Sequence, residues 1–245
     1  MKKLEFAGEN LTPEKLEALG NEHDLEHLVI WGGPLKNDDL APLAKLVALK
    51  QLALGEMRID DGVFEYLRHL PKLETLILAY TANRGDVTPL LNLPLQDVRL
   101  EGCRFVGDHS ATSLARLPTL RKLEIHMTGL TDAGVAALAA LPLETLWLGP
   151  RVTDAAMQIL GGMPTLRHLD ICAHNVSDEG ARALSTLPNL EILWLARCGI
   201  TDDSVAALAA MSGLRELNVN CTGISNSGMN RLRAALPGCT FPDPD

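Results

Sequence analysis

An LxxLxL run, or a close variant of it, recurs along the whole chain. It opens at Met1 (MKKLEF), Leu25 (LEHLVI), Leu49 (LKQLAL), Leu73 (LETLIL), Leu95 (LQDVRL), Leu120 (LRKLEI), Leu143 (LETLWL), Leu166 (LRHLDI), Leu190 (LEILWL) and Leu214 (LRELNV). Successive starts differ by 24, 24, 24, 22, 25, 23, 23, 24 and 24 residues in a chain of 245. Such regularity means one supersecondary unit repeated ten times. A unit that short cannot bury its own apolar side, so the copies must stack on one another as a solenoid.

Within each run the fourth and sixth positions are apolar and the third, fifth and seventh are not consistently so, the period-two pattern of a strand with one buried face. A second signature follows most strands: LTDAGVAALAALP from Leu130, VTDAAMQILGGMP from Val152, VSDEGARALSTLP from Val176 and ITDDSVAALAAMS from Ile200. Its Thr or Ser suits an N-cap, and the Asp behind it complements the positive end of a helix dipole. Apolar residues three and four apart, then a proline such as Pro118, Pro142, Pro164 or Pro188, predict two to three helical turns before the chain turns back. The copy from Leu73 lacks the Thr-Asp start and is expected to carry only a brief turn of helix. In the first copy Thr12 is the expected cap, Pro13 the first helical residue and Gly20 the end.

The pattern resembles the leucine-rich-repeat family over essentially its full length, with short convex helices similar to those of its ribonuclease-inhibitor-like and cysteine-containing types. The resemblance implies an α/β solenoid: a curved horseshoe with a parallel β-sheet on the concave face and short α-helices on the convex face. It implies one domain over residues 1–245, with residues 1–24 as an N-terminal capping repeat. Residues 237–245 would form a C-terminal cap and tail, in which Cys239 and Phe241 seal the core. Family repeats place Asn or Cys three positions after the last strand leucine. Here that slot holds Cys103, Thr128, Cys198 and Thr222, with Arg151 and His174 as departures where a local irregularity is expected.

The net charge of −9 disfavours a phosphate backbone, and no basic stripe overrules it, so nucleic acid is not an expected ligand; the same field favours a basic partner. No apolar stretch approaches the ~18 residues of a membrane span, and the N-terminal lysines have no apolar run behind them. Five cysteines, odd in number and never in a CxxC pair, argue against a disulfide framework and for a reducing, cytoplasmic setting. No cofactor is indicated, and the expected state is a monomer. Arg84, Gly85 and Asp86 spell an adhesion tripeptide, but Gly and Asp are ordinary turn residues.

Function in such a scaffold sits on the exposed strand positions of the concave face. All three tryptophans of the chain, Trp31, Trp147 and Trp194, fall there, although aromatics are only 4% of the residues. Tryptophan is the residue type most enriched at interface hot spots. Trp147 and Trp194 stand two repeats apart, their backbones ~10 Å from each other if strands are ~4.8 Å apart. Around them lie Arg99, Glu124, His126, His168, Asp170, Ile192, Arg197 and Asn218. These eleven residues are the expected partner-binding set. The plainer reading has the rings lying flat over neighbouring side chains.

The resemblance implies a non-catalytic module that binds a protein, as an inhibitor or immunity-type protein; the alternative is a substrate-recruiting adaptor of a ligase or signalling complex. A third reading, in which His168, Asp170 and Cys172 ligate a metal or form a Cys/His nucleophile, requires side chains that converge. Positions two apart on a strand project in parallel instead.

Overall fold

Alternating burial makes each repeat begin with a strand: Leu28 and Ile30, or Leu146 and Leu148, are sealed beneath it while their neighbours face outward. The computed structural model describes residues 2–7 and 10–243; Met1, which opens the first repeat, and the last two residues of the predicted tail lie outside them. The strands are β1 (Lys2–Ala7), β2 (Leu25–Trp31), β3 (Gln51–Gly55), β4 (Thr75–Ala79), β5 (Asp97–Arg99), β6 (Lys122–Glu124), β7 (Thr145–Leu148), β8 (His168–Ile171), β9 (Ile192–Trp194) and β10 (Glu216–Asn218). They form one parallel sheet in sequence order, and equivalent repeat positions pair: Glu124 with Trp147, Trp147 with Asp170, Asp170 with Trp194. This is the curved, open α/β solenoid that the repeat implies.

The outer layer comprises α1 (Pro13–Leu19), α2 (Phe64–Leu67), α3 (Asp108–Leu114), α4 (Asp132–Leu138), α5 (Asp154–Leu160), α6 (Asp178–Leu184), α7 (Val205–Ala209) and α8 (Asn226–Ala235). Tighter 3₁₀ segments replace or precede helices at Asn37–Lys45, Asp61–Val63, Thr88–Leu90 and Asp202–Ser204. Pro42, which has no N–H to donate, lies inside the first of these. Thr88–Leu90 is the brief turn expected in the repeat from Leu73. Thr12 caps α1, and Thr131, Thr153 and Ser177 cap α4, α5 and α6 as their positions predict; Thr201 caps the 3₁₀ turn Asp202–Ser204 that leads into α7, and Ser225 caps α8.

The aspartate after each cap does more than complement the helix dipole. Asp132 accepts from the backbone N–H of Thr153 at 2.8 Å and from its hydroxyl at 2.7 Å, in the next repeat. Asp154 holds Ser177, Asp178 holds Thr201 and Asp202 holds Ser225 in the same paired way. Each carboxylate thus fixes the entry of the following helix, a charge-assisted ladder from repeat to repeat. At Gly180 the approach is so close that a Cβ would stand 2.4 Å from Asp154 Oδ1.

The turn slot after the strands is filled as expected in four repeats. Cys103 and Cys198 are buried and donate to the carbonyls of Leu78 and Ile171 in the preceding repeats, at 3.3 and 3.5 Å. Thr128 and Thr222 donate to Ile125 and Val219 in their own. Arg151 and His174 are exposed instead. Seven positions after the run's first residue, Gly32, Glu56, Tyr80, Gly102, Met127, Arg197 and Cys221 all have positive φ; Pro150 and Ala173 at that place do not. A proline ring forbids positive φ. In these two repeats the strand runs on instead, so β7 and β8 have four residues where β5, β6, β9 and β10 have three.

The far end closes with chain rather than solvent. Thr240 adds a parallel bridge to Glu216, donating to Arg215 and accepting from Leu217, while Cys239 and Phe241 pack on the core.

Candidate functional site

The sheet's third and fifth positions face the inner curve from β1 to β10. The seventh belongs to the sheet only in β1 to β4, because the later strands end before it. This corrects the expected alternation of His168, Asp170 and Cys172 along one strand: β8 ends at Ile171, and Cys172 lies exposed beyond it. Among the described residues, no group of three or more His, Cys, Asp or Glu is placed to hold a metal ion.

Four aromatic rings follow one another from the turn after β6 across β7 and β8 to β9. His126 lies 5.7 Å from Trp147, Trp147 lies 5.7 Å from His168, and His168 lies 6.0 Å from Trp194, all tilted or edge-on. Register alone does not give this order, since the tryptophans occupy fifth positions and His168 a third. The result is a continuous, partly buried aromatic run. Its polar atoms are incompletely served: Trp147 Nε1, His126 Nδ1 and His168 Nε2 are buried without a hydrogen-bond partner among the described residues. Trp194 Nε1 donates to Glu216 Oε1 at 2.6 Å. Tilted rings in such contact are favourable beyond their buried area, by ~0.5–1.5 kcal/mol per pair.

Charged groups flank the run unevenly. Glu124, expected as an accessible contact residue, is only 4% exposed, which corrects that expectation. It is held by Arg99 at 3.6 Å and by Lys122, whose Nζ stands 2.8 Å from Oε1 without hydrogen-bond alignment. Arg99 is bound more closely by Asp97, at 2.7 Å, and Lys122 also lies 5.5 Å over the Trp147 ring. His126 Nε2 meets Glu101 at 3.2 Å. Desolvation, with Lys122 adding to it, holds the His168 imidazolium below its usual range. Asp170 is different: burial pushes its carboxyl up to about 6, with Glu124 adding to the effect and His126 opposing it.

Of the remaining predicted residues, Ile192 and Asn218 adjoin the run, next to His168 and Trp194, and the other two lie off it. Ile192 pairs with His168 across β8 and β9, and Asn218 accepts from the backbone of Asn220. Arg197 sits in the left-handed turn past β9 rather than on the sheet. Trp31 is 39% exposed but lies at the other end of the solenoid, on β2, flat over Gly55. It is therefore not part of the run, and its ring lies over the neighbouring strand as the plainer reading describes. Sequence reasoning passed over Lys122, Glu101 and Glu216, which serve the aromatic run; the signal was their place in the repeat next to each ring. Arg84, Gly85 and Asp86 serve the turn itself, their backbone N–H groups all donating to Asp61. A separate hollow of about 450 Å³ at the loop edge of the third to fifth repeats is lined by Met57, Arg58, Asp60, Tyr80 and Arg104, none of them predicted. No helix of the described residues is long and apolar enough to cross a membrane.

Comparison with known proteins agrees with this architecture. A leucine-rich-repeat family model matches residues 116–139, 162–185 and 186–209. No curated protein matches the chain. Among solved structures, the chain is similar to an internalin from Listeria monocytogenes, with a TM-score of 0.50 and 18% identity over 96% of this chain and 89% of that one. That likeness is one of fold. With ten strands in one parallel sheet, turn slots filled by Cys and Thr, and three repeats matched directly, the chain is built as a leucine-rich-repeat solenoid.

Proposed function

We propose that the protein is a non-catalytic module that binds another protein on its inner sheet, centred on β6 to β9. The observation that carries this reading is the His126–Trp147–His168–Trp194 run. Side chains this large and rigid, set in line on a solenoid's concave face, offer contact area at low entropic cost, and tryptophan is the commonest hot-spot residue. The leucine core is complete without them, so the fold itself does not require aromatic groups there. The expected mode is occlusion of the partner, as an inhibitor would act.

The test is site-specific cross-linking in the native host. A photo-reactive amino acid at Ile192 on the inner sheet is compared with one at Gln158 on the outer face of α5, beside capture by a folded Trp147→Ala/Trp194→Ala variant. The reading expects one stoichiometric protein cross-linked from position 192 only and lost in the double variant. Cross-links from position 158 alone, or equal capture by the variant, would overturn it.

A further inference from the structure

The aromatic run flanks a carboxylate that has no partner among the described residues. On β8, Asp170 has Trp147 opposite it on β7 and Trp194 opposite it on β9. Among the described residues its carboxylate makes no hydrogen bond and no ion pair within 4 Å, although it is only partly exposed. The two basic side chains of the inner sheet beside the run are held by other carboxylates, Lys122 by Glu124 and Arg99 by Asp97 and Glu124. Glu216, at the far side of Trp194, is held by the indole N–H and adds a second negative charge.

This arrangement discriminates among occupants. An acidic group would meet Asp170 and Glu216 head-on. A purely apolar side chain would cover the indoles and leave a desolvated carboxylate unpaired, which is costly. A basic side chain satisfies both components: its cation meets the carboxylate while its stem and charge lie against the aromatic faces, which attract cations. Between the two basic residues, a planar guanidinium both stacks on indole and pairs with a carboxylate through two parallel N–H donors, whereas an ammonium is a more strongly hydrated point charge. We propose that Asp170, flanked by Trp147 and Trp194, is the seat for an arginine side chain of the protein partner. This inference rests on the inner-sheet binding reading and names the chemistry of its central contact.

The test uses the full chain and a defined probe. The indole N–H signals of Trp147 and Trp194 are followed by NMR during titration with Nα-acetyl-arginine N-methylamide, and in parallel with the citrulline equivalent, which has nearly the same shape without the charge. The expected result is a saturable shift of both indole signals with the arginine probe, weakened about tenfold or more by Asp170→Asn and by exchange of arginine for citrulline. Equal shifts with citrulline, an unchanged response in the Asp170→Asn protein, or no saturation would overturn the proposal. The two readings fail separately. If cross-linking places the partner on the inner sheet but the arginine probe does not bind, the binding face stands and the arginine seat falls. If the probe binds at Asp170 but the partner cross-links from the outer face, the inner-sheet function falls.

Discussion

Asp170→Asn should make the protein more stable, and the gain should depend on pH. Burial raises the Asp170 carboxyl from its ordinary 3.8 to about 6, so the folded state holds this proton more tightly than the unfolded chain does. Between those two values stability therefore falls as pH rises, and above the higher one the full penalty of an ionised, poorly solvated carboxylate is present. A displacement of roughly two pH units corresponds to about 3 kcal/mol at neutral pH. Because Asp170 is partly exposed, solvent screening reduces the expected figure to about 1–2 kcal/mol. An asparagine of the same shape carries no such penalty. Urea unfolding of both proteins, followed by circular dichroism at about pH 4.5 and pH 7.5, isolates the effect, since every other titrating group is common to the pair. The variant should gain about 1 kcal/mol or more on wild type in moving from the lower to the higher pH. A stability difference that is the same at both values, or a variant less stable at pH 7.5, would refute the reasoning and show that Asp170 is satisfied in the folded state. A surface that keeps a destabilising carboxylate among aromatic rings is what a binding function would explain and a purely structural role would not.

Asp132→Ala, which removes both bonds to Thr153, should cost about 2 kcal/mol in the same assay, whereas Asp203→Ala, whose side chain makes no hydrogen bond among the described residues, should stay within about 0.5. Gly55→Ala would place a Cβ 2.6 Å from the Trp31 ring and should displace the indole at a cost of about 1 kcal/mol, read from the Trp31 indole signal and the unfolding midpoint; an unmoved ring would contradict the flat contact described. Arg197, at φ 62, should tolerate glycine, while Arg197→Val should lose about 1–2 kcal/mol because a β-branched side chain resists the left-handed turn. Leu169→Ala, beneath the aromatic run and fully buried, should cost about 2–5 kcal/mol by urea unfolding, and a loss under 1 would place it outside the packed core.

Local pattern alone was enough to read the stacked repeats, the ten strands, the helix caps at Thr12, Thr131, Thr153 and Ser177, and the buried turn residues Cys103 and Cys198. Each of these depends on residues a few positions apart, whose periodicity or capping chemistry acts within a single repeat. The same local reading put Trp147, His168, Asp170 and Trp194 on one face, because a parallel sheet in register carries equivalent positions side by side. What it could not supply was the state of each group there. Whether Glu124 is open or sealed depends on where Lys122 and Arg99 send their long side chains, and whether Trp31 belongs with the other tryptophans depends on five strands of separation along the solenoid. The aspartate ladder was likewise out of reach: from within a repeat Asp132 reads as a dipole partner, and only stacking brings Thr153 of the next repeat to its carboxylate. Sequence determined the unit and its faces through short-range periodicity. Tertiary structure alone decided which polar groups on those faces found partners and which, like Asp170, were left without one, because that depends on side-chain packing between strands more than twenty residues apart in the chain.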